Sequence, residues 1–232
     1  MVPLTAREHA ALDRLEERER PLRRGGALVR EKDIGGEMFV LREGTMMSSV
    51  LLDDGSRQIL RFLFPGDLLG MSSLAYGEAP ETLTALTDCM VAPFDRAAIA
   101  NVVAEHPRLA ALIMVYNQIE RAALTDRLAA LGRTSAKARV ASILLEMRNR
   151  QRMVDPQLGS SFALRLTQEE IGDATGLTAV HVNRMLRQLE EEGLIAREAG
   201  RMTFINERGL AREANYIDRY VGLDLSWLPP AQ

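Results

Sequence analysis

Residues 167–187, Thr-Gln-Glu-Glu-Ile-Gly-Asp-Ala-Thr-Gly-Leu-Thr-Ala-Val-His-Val-Asn-Arg-Met-Leu-Arg, read as two short helices joined by a glycine turn. Two helices that cross closely need a small residue at the crossing, one tolerant of positive φ at the turn, and an apolar residue behind the second helix. Gly172, Gly176 and Val182 stand in those places. Thr167 with Glu170 matches a capping box for the first helix, and Thr178 can cap the second. Ile171, Leu177, Val182, Met185, Leu186 and Leu189 supply a shared apolar face. An ordinary helical hairpin would need only the apolar spacing. Because glycines, caps and apolar phase agree independently, the segment is expected to read DNA.

Downstream, Gly193 can end the second helix, and Leu194–Arg197 and Met202–Ile205 read as two strands around Ala199-Gly200. The predicted carboxy-terminal unit is therefore a winged helix-turn-helix.

The chain has 232 residues, long enough for two domains, and 47% hydrophobic with 26% charged residues is ordinary globular composition. No apolar run reaches membrane-spanning length and the amino terminus lacks a signal-peptide core, so a cytoplasmic protein is expected. The single cysteine, Cys89, excludes an internal disulfide and reads as a small core residue. Charge lends DNA binding little help: residues 1–132 hold 15 Lys+Arg and 19 Asp+Glu, and residues 133–232 hold 14 and 13. Affinity must come from local placement, such as His181, Arg184 and Arg187 on one helix and Arg133, Lys137 and Arg139 at the start of another.

From residue 21 the rhythm changes. Apolar stretches at 27–29, 38–41, 49–52 and 59–63 are separated by Gly25-Gly26, Gly35-Gly36, Gly44, Asp53-Asp54-Gly55 and Pro65-Gly66-Asp67, and a strand pattern runs from Thr82 to Phe94. Short strands with glycine turns imply an antiparallel barrel or roll, preceded by a short helix at about 5–18. Between the halves, Pro107 opens a long helix whose apolar residues recur from Leu109 through Leu131 before Gly132. That helix has more than one apolar face: one can lie on the roll, and another, with Ile113, Tyr116, Leu124, Leu128 and Leu131, can pair with a second copy. The expected class is α+β: a β-roll sensor-like domain over 1–105, a dimerisation helix over 106–132, and a winged helix-turn-helix with a tail over 133–232.

This order of parts resembles the catabolite-activator and fumarate-nitrate regulator (Crp/Fnr) superfamily over about residues 15–210. The motifs that carry the resemblance are Arg42-Glu43-Gly44, Pro65-Gly66-Asp67 followed by Gly70, and the segment from Leu166 to Arg184. It implies a homodimeric transcription regulator on double-stranded DNA in which the roll, on binding a ligand or cofactor, resets the spacing of two DNA-reading helices. RNA polymerase is a further partner that the resemblance leaves open.

In cyclic-nucleotide-binding relatives the stretch after Pro-Gly-Asp carries a Gly-Glu pair that holds the ribose and an Arg-Ser or Arg-Thr pair that holds the phosphate. The aligned positions here are Gly70-Met71 and Glu81-Thr82. Methionine is a poor acceptor for a hydroxyl, and a glutamate repels phosphate. The pair that meets the base in those relatives corresponds to Leu124-Thr125. Met71, Glu81, Thr82, Leu124 and Thr125 thus outline a candidate effector pocket that argues against cyclic AMP; an apolar or cationic effector, with Glu81 as anchor, or no effector at all, is the expectation. A lone cysteine argues against an iron–sulfur cluster. Haem through His9, His106 or Met71 is the lesser alternative, and no metal site is expected. A metal-dependent enzyme of cupin type is disfavoured because no two of the three histidines are close in sequence or share a strand.

For DNA, the resemblance assigns base reading to Ala179, Val180, Asn183 and Arg184, with Thr178 at the helix start and His181 and Arg187 placed for phosphates or flanking bases. Arginine bonds bidentately to guanine, asparagine to adenine, and valine touches a thymine methyl. Many relatives carry Glu where Val180 stands, so the half-site is expected to differ at that step.

Overall fold

The computed structural model describes residues 3–231. The elements run α1 (Ala6–Leu15), β1 (Arg20–Leu22), β2 (Ala27–Val29), β3 (Met38–Glu43), β4 (Met46–Leu51), β5 (Arg57–Leu63), β6 (Leu68–Leu69), a 3-10 turn at Met71–Leu74, β7 (Thr82–Ala85), β8 (Cys89–Phe94), α2 (Arg96–Glu105) and α3 (Pro107–Arg133). They continue with α4 (Ala136–Val154), β9 (Ser161–Ala163), α5 (Gln168–Thr175), α6 (Ala179–Glu191), β10 (Ile195–Glu198), β11 (Arg201–Phe204) and α7 (Glu207–Ala214). The chain forms two compact units: one holds residues up to Ser48, Leu63–Ala123 and the chain from Tyr220, and the other holds Ser49–Phe62 with Leu124–Arg219. The long helix α3 is divided between the two units.

The first unit is the roll. The strands form sheets ordered β1-β8-β3-β6 and β2-β7-β4-β5. β3 and β8 pair antiparallel from Met38↔Phe94 to Leu41↔Val91, then slip at Leu41/Glu43. One face buries Phe39, Leu41, Met46, Leu63, Leu83 and Val91; the other packs Met38, Val40 and Phe94 against α1, α2 and the start of α3 through Leu15, Ile99 and Leu109. Alternation along the strands thus feeds two cores. The Pro65-Gly66-Asp67 turn is built by the buried Asp67, whose carboxylate accepts from the Phe64 N–H at 2.9 Å while its carbonyl accepts from Leu41 N–H at 3.0 Å. Cys89 is buried and its thiol sits on the Thr45 and Thr87 carbonyls at 3.5 and 3.2 Å. Burial pushes that thiol above its ordinary pKa, so it behaves as a core residue.

Thr5 and Glu8 form a full capping box on α1, and the same Glu8 carboxylate receives buried Arg108 of α3 at 2.6 and 2.8 Å. Burial alone would push the Glu8 carboxyl up, but the Thr5 N–H and the Arg108 guanidinium outweigh it and hold it below its ordinary value of 4.5. A lowered folded pKa stabilises the fold above the unfolded value, and that stability is lost as pH falls through the folded one. Glu8→Gln is expected to cost about 1.5 kcal/mol at neutral pH and to flatten the fall of melting temperature below pH 4.5, as followed by circular dichroism. An acid profile identical to that of the parent would show that the pair carries no linkage.

The second unit contains the winged helix. α4 packs on α5, α6 and α7, and Ile143, Leu144 and Met147 of α4 are buried, as are Ile171, Val182, Leu186, Leu189 and Leu210 on those helices. Phe162 and Phe204 meet edge to face at 5.2 Å, and Arg148, 2% exposed, lies over Phe204 at 5.3 Å and pairs with Glu207. The hairpin formed by β4 and β5 reaches α5 through Arg57, whose Nε and Nη2 lie 2.8 and 2.6 Å from Asp173 Oδ2. Arg127 of α3 donates to the Leu60 carbonyl, pairs with Glu146, and lies 5.5 Å over the Phe62 ring. The tail after α7 is held by Arg219, which grips Asp126 with two bonds of 2.6 and 2.8 Å.

Candidate nucleic-acid interface

The placement of α6 against α5 is fixed by three local devices. Thr167 and Glu170 make the expected capping box on α5, at 2.7 and 3.1 Å. Gly176 ends α5 at φ +67, a left-handed conformation that favours glycine, and donates its N–H to the Gly172 carbonyl. Thr178 then caps α6 by accepting from His181 N–H at 3.3 Å. At the crossing, a Cβ on Gly172 would stand 2.4 Å from the Leu177 carbonyl oxygen. Only a residue without a side chain fits.

With Val182, Met185, Leu186 and Leu189 buried, α6 turns the opposite face outward. Thr178, Ala179, Val180, Arg184 and Arg187 are exposed, and His181 and Asn183 half-buried. Val180 is 82% exposed, an apolar side chain that nothing in the protein covers. No acidic residue sits in the first turn of α6, so the positive end of the helix dipole is left for an anion. The exposed charges on this face are Arg184, Arg187 and, one turn further on, Glu191.

Two basic residues expected near DNA are engaged elsewhere. Lys137 bonds Glu192 at 2.7 and 2.9 Å and Glu213 at 3.2 Å, and Arg139 donates to the Leu131 and Thr134 carbonyls at 3.3 Å. Both hold helices together; Arg133 is exposed. Sequence reasoning missed the wing's Arg197, half-buried, which grips Glu190 at 3.0 and 2.6 Å and reaches Asn183 Oδ1 at 3.5 Å. It also missed β9, which makes the wing a three-stranded sheet ordered β10-β11-β9.

In the roll, a cavity of about 240 Å³ is lined by Arg20, Asp33, Glu37, Phe39, Ser73 and Glu81 among others. Of the candidate effector residues it takes in Glu81, which accepts from the buried Ser48 hydroxyl. Met71 packs against the core, and the Thr82 hydroxyl accepts from Glu31 N–H at 3.0 Å. Leu124 and Thr125 belong to the part of α3 in the second unit. Of the haem candidates, His9 is exposed on α1 and His106 is the residue that ends α2. Among the described residues, no group of three His, Cys, Asp or Glu could hold a metal ion. Along α3, Met114, Leu124 and Leu128 are exposed, Leu128 at 73%. Ile113 packs on the roll's core, and Tyr116 and Leu131 are half-buried.

Residues 138–213 match the Crp-like helix-turn-helix domain and residues 19–106 match the cyclic nucleotide-binding domain. The chain is a transcription regulator of the Crp/Fnr type. It is similar to the fumarate and nitrate reduction regulatory protein of Escherichia coli K12, 27% identical over 219 residues, 93% of this chain and 86% of that one. Among solved structures, FixK2 from Bradyrhizobium japonicum is 27% identical, with a TM-score of 0.74 over 84% of this chain and 96% of that one. A CRP-family transcriptional regulator of Thermus thermophilus, 24% identical, shares the fold at a TM-score of 0.66 over 85% of this chain and 97% of that one. Regulators of this type bind DNA and act as dimers, and among the described residues no single helix is long and apolar enough to cross a membrane.

Proposed function

We propose that this chain acts as a homodimer that reads a palindromic operator with α6, Arg184 on a guanine, Asn183 on an adenine and Val180 against a thymine methyl. The observation that carries the reading is the outward face of α6, where an uncovered valine lies one turn from an exposed arginine. An apolar side chain at 82% exposure beside a cation fits a base edge carrying a methyl better than it fits water. The exposed stripe of Met114, Leu124 and Leu128 supports pairing through α3, since two-fold symmetry sets half-sites about one DNA turn, ~34 Å, apart. Selection of bound duplexes from a randomised pool tests this directly. The expected result is an inverted repeat with that spacing, a guanine in each half, and no cytosine preference of the kind a glutamate at 180 would impose. A direct repeat or a single half-site would overturn it.

The roll of this regulator is not used for a cyclic nucleotide. Asp33, Glu37 and Glu81 around the cavity, against one arginine, Arg20, give the wrong charge for a phosphate, and Met71 cannot hold a ribose. Titration with cyclic AMP is expected to produce no binding heat and no change in operator affinity. Micromolar binding would overturn this reading.

A further inference from the structure

The two side chains assigned to hydrogen-bond bases, Arg184 and Asn183, are each held by a second residue before any DNA arrives. Arg184 Nη2 lies 2.9 Å from Nε2 of His181, one turn earlier on α6. A guanidinium has five N–H donors and no acceptor, so the imidazole must offer its Nε2 lone pair and carry its proton on Nδ1. One Nη2 proton is spent on the contact and four donors remain, while reading guanine O6 and N7 takes two. The contact therefore aims the guanidinium without competing for its task.

Asn183 is held from outside the helix. Arg197, on β10 of the wing, donates from Nη1 to Asn183 Oδ1 at 3.5 Å, and its Nε and Nη2 are fixed on the two oxygens of Glu190 at 3.0 and 2.6 Å. The hydrogen bonding from Arg197 holds the Glu190 carboxyl below its ordinary range, so the anchor is an ion pair at neutral pH. An asparagine amide has nearly the same shape when flipped, but adenine reading needs Nδ2 donating to N7 and Oδ1 accepting from N6. A donor fixed on Oδ1 selects one orientation and leaves the second oxygen lone pair and both Nδ2 protons outside this contact. We propose that His181 and Arg197 are positioning residues of the DNA-reading surface: His181 aims Arg184, and Arg197 sets the amide of Asn183.

The proposal rests on the reading of Arg184 and Asn183 as base contacts, so its test measures that reading in parallel. Full-length parent, His181→Phe, His181→Gln, Arg197→Lys, Glu190→Gln, Arg184→Ala and Asn183→Ala are titrated against the selected operator, against operators changed symmetrically at one base step, and against random duplex. Melting temperatures are recorded alongside. His181→Phe, which keeps a ring and removes the acceptor, is expected to reduce discrimination at the guanine step by about fivefold, the low end for one bidentate pair. Its affinity for random duplex should be unchanged. His181→Gln restores an acceptor and should recover discrimination. Arg197→Lys keeps the charge opposite Glu190 but loses the fork, and should reduce discrimination at the adenine step alone; Glu190→Gln, which loosens the anchor and leaves Arg197 in place, should do the same more weakly.

If Arg184→Ala and Asn183→Ala relax their steps while the His181 and Arg197 variants do not, the positioning roles are wrong and the base contacts stand. If Arg184→Ala and Asn183→Ala leave base preference intact, the base-contact reading falls and the positioning proposal with it. A loss shared equally by operator and random duplex in His181→Phe would make His181 a phosphate contact and overturn its role here.

Discussion

Replacing Gly172 by alanine is expected to lower the melting temperature of the DNA-reading unit by roughly 10 °C, a loss of about 2 kcal/mol for a domain of this size. Alanine is the better helix former by about 1 kcal/mol, so propensity pulls the other way. The new Cβ, however, would stand 2.4 Å from the Leu177 carbonyl oxygen, and the group it meets is backbone. It cannot rotate aside. Gly172 is also where the turn is tied, since its own carbonyl accepts from Leu177 N–H at 3.0 Å and from Gly176 N–H. Relief therefore requires α5 and α6 to separate, and overpacking that moves backbone costs about 1–3 kcal/mol or more. Gly176→Ala makes the control. It strains a residue at φ +67, but its Cβ would meet nothing nearer than a Leu131 methyl at 3.9 Å, so about 1 kcal/mol is expected. Operator affinity should fall further for Gly172→Ala than for Gly176→Ala, because only the first changes the angle at which α6 is presented. A Gly172→Ala protein that melts with the parent and binds normally would show that the crossing has room.

That crossing was legible in the sequence because everything that builds it is local. Thr167, Glu170, Gly176 and Thr178 act within three or four residues of their partners, and such spacings leave a pattern. The roll was legible as strands between glycine turns, but its sheet assignment was not. The strand pattern from Thr82 to Phe94 shows no division, yet it holds two strands, β7 in one sheet and β8 in the other. The break at Leu86–Asp88 is made by distant groups: Leu86 N–H donates to the Thr45 carbonyl, and Asp88 takes the Arg24 N–H at 2.9 Å. α2 escaped for a different reason, since its apolar residues run on into those of α3 with only His106 between.

Long-range pairs explain the rest. Arg57 and Asp173 lie 116 residues apart, and nothing near either residue announces the other. Lys137 and Arg139 looked available to DNA because a charge count does not reveal that Glu192, Glu213 and two carbonyls already hold them. In the same way Arg197 is one wing arginine among several until Glu190 and Asn183 are seen at its two ends. The Arg197 contact to Asn183 could not be read from the pattern of α6, because Arg197 comes from the wing strand.

Arg184→Ala is expected to weaken operator binding by about 1–3 kcal/mol, roughly 5- to 150-fold, and to relax preference at one guanine in each half-site. Arg184 is exposed on α6, one turn beyond Val180, and its Nη2 donates to Nε2 of His181. Such a guanidinium is directed at a neutral acceptor edge. The number of phosphates contacted sets how steeply affinity falls with salt, whereas a base contact adds sequence preference and leaves that slope alone. Titrations of parent and variant at several salt concentrations, on the operator and on duplexes changed at the guanine, therefore separate the two roles in one experiment. With Arg184 on guanine, the variant loses affinity for the operator, loses almost nothing on the changed duplex, and keeps the slope. With Arg184 on phosphate, every duplex weakens alike and the slope falls by about one unit. Arg187, exposed one turn further along α6, is expected to give that second pattern, which makes Arg187→Ala the internal standard for the first.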